Sequence, residues 1–96
     1  MMEQINHTFP GATPATRRAH VGVVGSGDLE VLIEPAADGV TVDLRTSVDG
    51  FGAIWQAVLE RFFSRTDIAA KVQINDFGAT PGTVALRLSQ AVEAAK

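Results

Sequence analysis

Two periodicities in one short chain limit what it can fold into. In Leu29–Glu34, Leu29, Val31 and Ile33 alternate with Glu30, Leu32 and Glu34, and Val40–Arg45 alternates cleanly between apolar and polar. By contrast, Phe51, Ile54, Trp55, Val58, Leu59, Phe62 and Phe63 recur at three and four. A period of two places side chains on opposite faces of a strand, and spacings of three and four place them along one side of a helix. Both occur in blocks within 96 residues. Such a chain removes about two-thirds of its unfolded surface from water on folding, enough for one core. The block order points to an α+β domain.

The elements read as follows. Val21, Val23 and Val24 form a β-branched run from His20 that stops at Gly25-Ser26-Gly27-Asp28, and Leu29–Glu34 continues as a second strand. Two such runs joined by a glycine-bearing connector signal a β-hairpin. Pro35–Gly39 is a further turn, Val40–Arg45 a third strand, and Phe51–Phe63 a helix that Ser47 or Asp49 can cap. Val72–Asn75 reads as a fourth strand, closed by Asp76-Phe77-Gly78. Thr80-Pro81 opens a second helix, with a side-chain cap followed by a residue that needs no amide partner. Val84–Leu88 also alternates as a strand would, but the Thr-Pro start and the alanine-rich end favour helix.

The order β-β-β-α-β-α predicts a mostly antiparallel four-stranded sheet with two helices on one face. The other face carries Glu30, Glu34, Thr41 and Asp43 or their opposites. Residues 1–16, with two prolines, a glycine and small polar residues, read as a flexible or docked leader. Residues 17–96 then form the single domain.

Charge and composition exclude several functions. The formal charge is −3 and the eight Lys and Arg are scattered, so the basic face that nucleic acid requires is missing. The absence of cysteine removes disulfides, thiolate metal sites and a cysteine nucleophile together. No apolar run approaches the ~20 residues of a membrane span, and the N-terminus lacks a signal-peptide h-region, so the expected location is the cytoplasm.

The familiar ligand motifs fail on their own chemistry. Val21-Gly22-Val23-Val24-Gly25-Ser26-Gly27 looks like a dinucleotide-binding turn, but Glu30 occupies the third glycine position and a strand follows instead of a helix. Gly78–Thr83 lacks the lysine of a phosphate-binding loop. Only His7 and His20 offer imidazole, with no acidic cluster to complete a metal shell. Asp28, Glu30 and Glu34 have the spacing of a solvated strand face, and neither histidine is placed to act as base for Ser26.

What remains is Ser26, between two glycines at a hairpin tip and followed by an acid. Glycine, serine and aspartate are common turn formers, and ordinary turn chemistry accounts for them. The same arrangement suits a modified residue, since flanking glycines leave the hydroxyl sterically open and their amides can cradle an anion.

The segments Val24-Gly25-Ser26-Gly27-Asp28-Leu29-Glu30-Val31-Leu32, Thr46-Ser47-Val48-Asp49, Trp55-Gln56-Ala57 and Asn75-Asp76-Phe77-Gly78-Ala79-Thr80-Pro81-Gly82 together resemble the acyl carrier (delta) subunit family of bacterial malonate decarboxylases. The citrate lyase acyl carrier family is a more distant likeness, sharing the serine and the Asp-x-Gly-Ala element. The resemblance implies that Ser26 carries phosphoribosyl-dephospho-CoA through a phosphodiester and that its thiol holds acetyl or malonyl. It further implies three kinds of partner: a malonyl/acetyl transferase subunit, malonyl-carrier decarboxylase subunits and a prosthetic-group transferase. The chain would then be a carrier with no catalytic residue of its own. The rival reading is a regulatory or ligand-binding α+β module that uses the open sheet face.

Overall fold

The computed structural model describes residues 3–96. The element order is β1 (Glu3–Phe9), β2 (Thr13–Pro14), β3 (Ala19–Gly22), β4 (Leu29–Pro35), β5 (Val40–Thr46), α1 (Gly52–Phe63), β6 (Ile68–Asp76) and α2 (Pro81–Ala94). The sheet runs β1-β5-β6-β4-β3, with β2 pairing the start of β6. The β1–β5, β4–β6 and β3–β4 pairs are antiparallel, and β5–β6 is parallel. Parallel neighbours need a crossover, and α1 supplies it.

The expected core of the sheet is present, with two additions. Within the segment read as a leader, Glu3–Phe9 form an edge strand of the sheet. Glu3 through Phe9 pair with Thr46 through Val40, the full length of β5. Ile5 and Phe9 pack against the core, and the Phe9 ring stacks on Phe63 with centroids 5.3 Å apart. The alternation that drives this lies in Ile5, His7 and Phe9, short of the Pro10-Gly11 break that dominates the local composition. The fourth expected strand is longer than Val72–Asn75, running from Ile68 to Asp76, and lies in the middle of the sheet, with Ala69 and Ala70 fully buried.

One face of the sheet meets both helices. Leu29, Val31 and Ile33 of β4, Val40, Val42 and Leu44 of β5, and Val72 and Ile74 of β6 join Trp55, Leu59 and Phe63 of α1 and Val84, Leu88, Ala91 and Val92 of α2 in a single cluster. That decides the facing question: the Glu30 side is open. There His20 Nε2 lies 2.9 Å from Glu30 Oε2, Asn75 donates to Glu30, and Gln4 donates to Asp43.

The helix starts divide. Thr80 caps α2 through Oγ1, which accepts from the Thr83 amide at 3.2 Å, with Pro81 in the first turn as its sequence predicts. Residues 84–88 are helical. The cap expected for α1 from Ser47 or Asp49 does not form. Phe51 stands at that position without a side-chain cap. The Ser47 amide instead donates to the Asp76 carbonyl, and the Val48 amide to Thr46 Oγ1. The segment before α1 is therefore committed to the sheet end, and Gly50, at φ +88°, turns the chain into the helix.

Candidate functional site: the Ser26 turn

The β3–β4 hairpin places Ser26. Its neck is narrow: a side chain on Gly22 would put its Cβ 2.1 Å from the Leu29 carbonyl oxygen, so only glycine lets the two strands meet there. The first strand ends earlier than its valines suggest. Val23 and Val24 lie beyond β3 and are exposed. The connector closes at Gly25–Asp28, where the Asp28 amide donates to the Gly25 carbonyl at 3.1 Å. Gly27 has φ +78° at the third position of this turn, the signature of a type II turn. Ser26 occupies the second position, where any L-residue fits, and it is exposed. Among the described residues its hydroxyl makes no hydrogen bond.

This exposed bend is anchored. The Gly27 amide donates to the Phe77 carbonyl at 2.7 Å, and the Phe77 amide donates back to the Asp28 carbonyl at 2.9 Å. The receiving segment is itself shaped by Asp76, a carboxylate only 2% exposed. Its oxygens accept from Thr46 Oγ1 at 2.8 Å, the Gly78 amide at 3.2 Å and the Ala79 amide at 3.0 Å. A buried charge is tolerated when such donors replace its water, and here they also fold residues 76–80 into the entry of α2. Sequence reasoning did not assign this role to Asp76. The available signal was the Asp76-x-Gly78-Ala79 element directly before a Thr-Pro helix start.

The third anchor is an ion pair. Arg87 on α2 forks onto Asp28, with Nε 3.2 Å from Oδ1 and Nη2 2.8 Å from Oδ2. The Asp28 and Arg87 side chains are 21% and 28% exposed. Hydrogen bonding from Arg87, and then from the Leu29 amide, holds the Asp28 carboxyl below its ordinary value of 3.8, against a smaller opposing effect of desolvation. The Arg87 guanidinium is correspondingly pushed up by Asp28.

For a carboxylate with a depressed folded pKa, the contribution to stability is present above the unfolded pKa and is lost as pH falls through the folded value. Asp28 therefore keeps its partner through the neutral and mildly acidic range and releases it only below about pH 3.8. A carboxyl-carbon NMR titration should give an Asp28 midpoint below 3.8 in the native chain, moving back toward it in Arg87→Gln. A native midpoint at or above the ordinary value would show that the pair does not form in solution.

Among the described residues no base is brought to Ser26. His20 faces Glu30 on the open side of β3. His7 lies on β1, at the opposite edge of the sheet from β3, with Nε2 buried and unpartnered. Among the described residues no group of three or more His, Asp or Glu side chains gathers at metal-binding distance, and no helix is long and apolar enough to cross a membrane. The open sheet face holds a groove of about 910 Å³ bordered by Arg18, His20, Glu34, Asp43 and Lys71, and no residue of the serine turn lines it. The arrangement at Ser26 is an accessible hydroxyl on a fixed bend, with open space around Gly27.

The same chain has well-defined relatives. A family model described as the malonate decarboxylase delta subunit (MdcD), an acyl carrier protein, matches residues 16–95. The malonate decarboxylase acyl carrier protein of a Pseudomonas paraeruginosa strain is 53% identical, covering 98% of this chain and 97% of its own length. That of Azotobacter vinelandii is 50% identical, covering 96% and 95%. A chain in the crystal structure of a Pseudomonas malonate decarboxylase hetero-tetramer in complex with malonate superposes with a TM-score of 0.93 at 46% identity, covering 98% of this chain and 99% of that one.

Proposed function

The chain belongs to the malonate decarboxylase delta subunit family, and from that membership we propose that it carries acetyl and malonyl groups during malonate decarboxylation on an arm attached to Ser26. The observation that supports the attachment point is the turn itself: the one serine between two glycines is exposed, unbonded and pinned on three sides.

The residues suit phosphoribosyl-dephospho-CoA held by a phosphodiester. Among the described residues the Ser26 hydroxyl has no hydrogen-bond partner, and the space beside Gly27 is open to a bulky substituent. When bound, the arm supplies a thiol whose thioester carbonyl can take up the charge left as carbon dioxide departs. Ser26 Oγ is the atom that would hold it. The protein's own task is positional: it keeps the attached acyl group at high effective concentration near partner active sites while the sheet and helices stay fixed behind the bend.

This reading assigns the chemistry to other subunits: a malonyl/acetyl transferase, the decarboxylase subunits that act on the malonyl-loaded carrier, and a prosthetic-group transferase that installs the arm. It assigns no catalytic residue to this chain and a cytoplasmic location to the assembly. Intact-mass analysis of the chain purified from its natural complex tests it. The expected result is a mass increase matching the arm, localised to the Ser26 peptide. A bare chain in a complex that turns over malonate would end the proposal.

A further inference from the structure

The ion pair between Asp28 and Arg87 does more than its exposure would suggest. Six residues, Val23–Asp28, join β3 to β4, and two of the three before Asp28 are glycines. Glycine loses more backbone freedom on ordering than any other residue. A hydroxyl on a free loop of this kind would sample many orientations. The two backbone bonds to Phe77 hold the inner side of the turn. The outer side is held by Arg87, whose fork on Asp28 reaches across 59 residues of sequence. Arg87 is steadied in turn by Nη1 donating to Gln90 Oε1 at 3.2 Å. A planar fork gives two-point geometry that a single ammonium cannot.

Charge adds a second requirement. Asp28 lies two residues from Ser26, and a phosphodiester on Ser26 would place a second anion beside it. Arg87 makes the pair neutral before the phosphodiester arrives.

We propose that Arg87 is a positioning residue for Ser26, holding Asp28 from α2 so that the turn presents one hydroxyl geometry to the enzyme that loads it and tolerates the charge of the product. The inference rests on the carrier reading above. In the loading step, Ser26 Oγ gives up its proton to a general base of the loading enzyme and bonds to the phosphorus of an activated phosphoanhydride donor. The donor's phosphate leaving group departs with the electrons of the P–O bond that breaks. A misplacement of the acceptor by about 1 Å is enough to cost two orders of magnitude in such a transfer.

The test uses the full-length unmodified chain, the purified prosthetic-group transferase and its activated donor. Amide hydrogen exchange at Gly27 and Asp28 is followed alongside the initial rate of adduct formation by intact mass. Arg87→Gln is expected to speed exchange at both amides at least tenfold and to slow adduct formation at least tenfold. Arg87→Lys, which keeps the charge without the fork, should fall between, and the swapped pair Asp28→Arg/Arg87→Asp should recover part of both losses. The lysine variant and the swap also decide the matter should the glutamine variant fail to fold. Arg87→Gln loaded at the native rate, or loaded slowly with unchanged exchange in the turn, overturns the positioning role. A native chain that takes no adduct overturns the carrier reading and this role with it, whatever the exchange rates show.

Discussion

Ser26→Ala is expected to abolish the mass adduct and to reduce malonate turnover by a complex rebuilt around the variant to background, while leaving the fold unchanged. The two halves of this expectation have separate causes. An attached arm needs an oxygen nucleophile at the tip of the bend, and alanine has none. Thr46, whose hydroxyl donates to the Asp76 that shapes the receiving segment, is fully buried, so it offers no substitute. Stability should stay within about 0.5 kcal/mol, because the side chain is exposed and makes no hydrogen bond among the described residues. No described non-glycine residue has positive φ, so alanine fits the turn without strain. Circular dichroism and thermal melting will check the fold, and intact mass with malonate turnover will check the function. A variant complex that turns over malonate at the native rate would place the attachment elsewhere or remove it altogether.

The second large effect concerns the core beneath the site. Trp55 is 6% exposed and belongs to the core cluster that also holds Val84, Leu88 and Leu44. Trp55→Ala should cost about 3–5 kcal/mol, through lost transfer energy and the cavity left behind. A domain of this size commonly has a total stability of about 5–15 kcal/mol. The variant therefore risks being partly unfolded at physiological temperature, and chemical denaturation at low temperature is the suitable measurement. Trp55→Phe keeps an aromatic ring in the same space and should lose much less. Equal losses in the two variants would show that the indole, not the filled volume, is what the site requires. A loss below about 1 kcal/mol in Trp55→Ala would contradict the burial seen here.

Where the sequence was legible, it was because the determining interactions are local. The alternation of Leu29, Val31 and Ile33 and of Val40, Val42 and Leu44 marks strands wherever they end up, and the helix of Trp55, Leu59 and Phe63 needs only its own spacing. Thr80-Pro81 carries its own cap. The exception among the helix starts is instructive. Ser47 and Asp49 have the right chemistry for a cap, but Asp76, 29 residues beyond Ser47, already engages the Ser47 amide. A distant partner overrode a local preference. The docked strand β1 was obscured for a related reason. Edge strands need one partner and one buried side, so Ile5 and Phe9 suffice, and the prolines and glycine that follow outweigh them in any short window.

The sequence by itself determined the class of elements, their order and the exposed serine bend, since each follows from side-chain period or from the turn chemistry of Gly25, Ser26, Gly27 and Asp28. Only the tertiary structure decided that β6 lies at the centre, that the Glu30 face stays open, that Asp76 builds the shelf under the bend, and that Arg87 grips Asp28 from helix α2. The physical reason is range. Period and propensity act over a few residues, whereas these contacts join residues 30 and 59 apart in the chain and exist only once the sheet has brought them together.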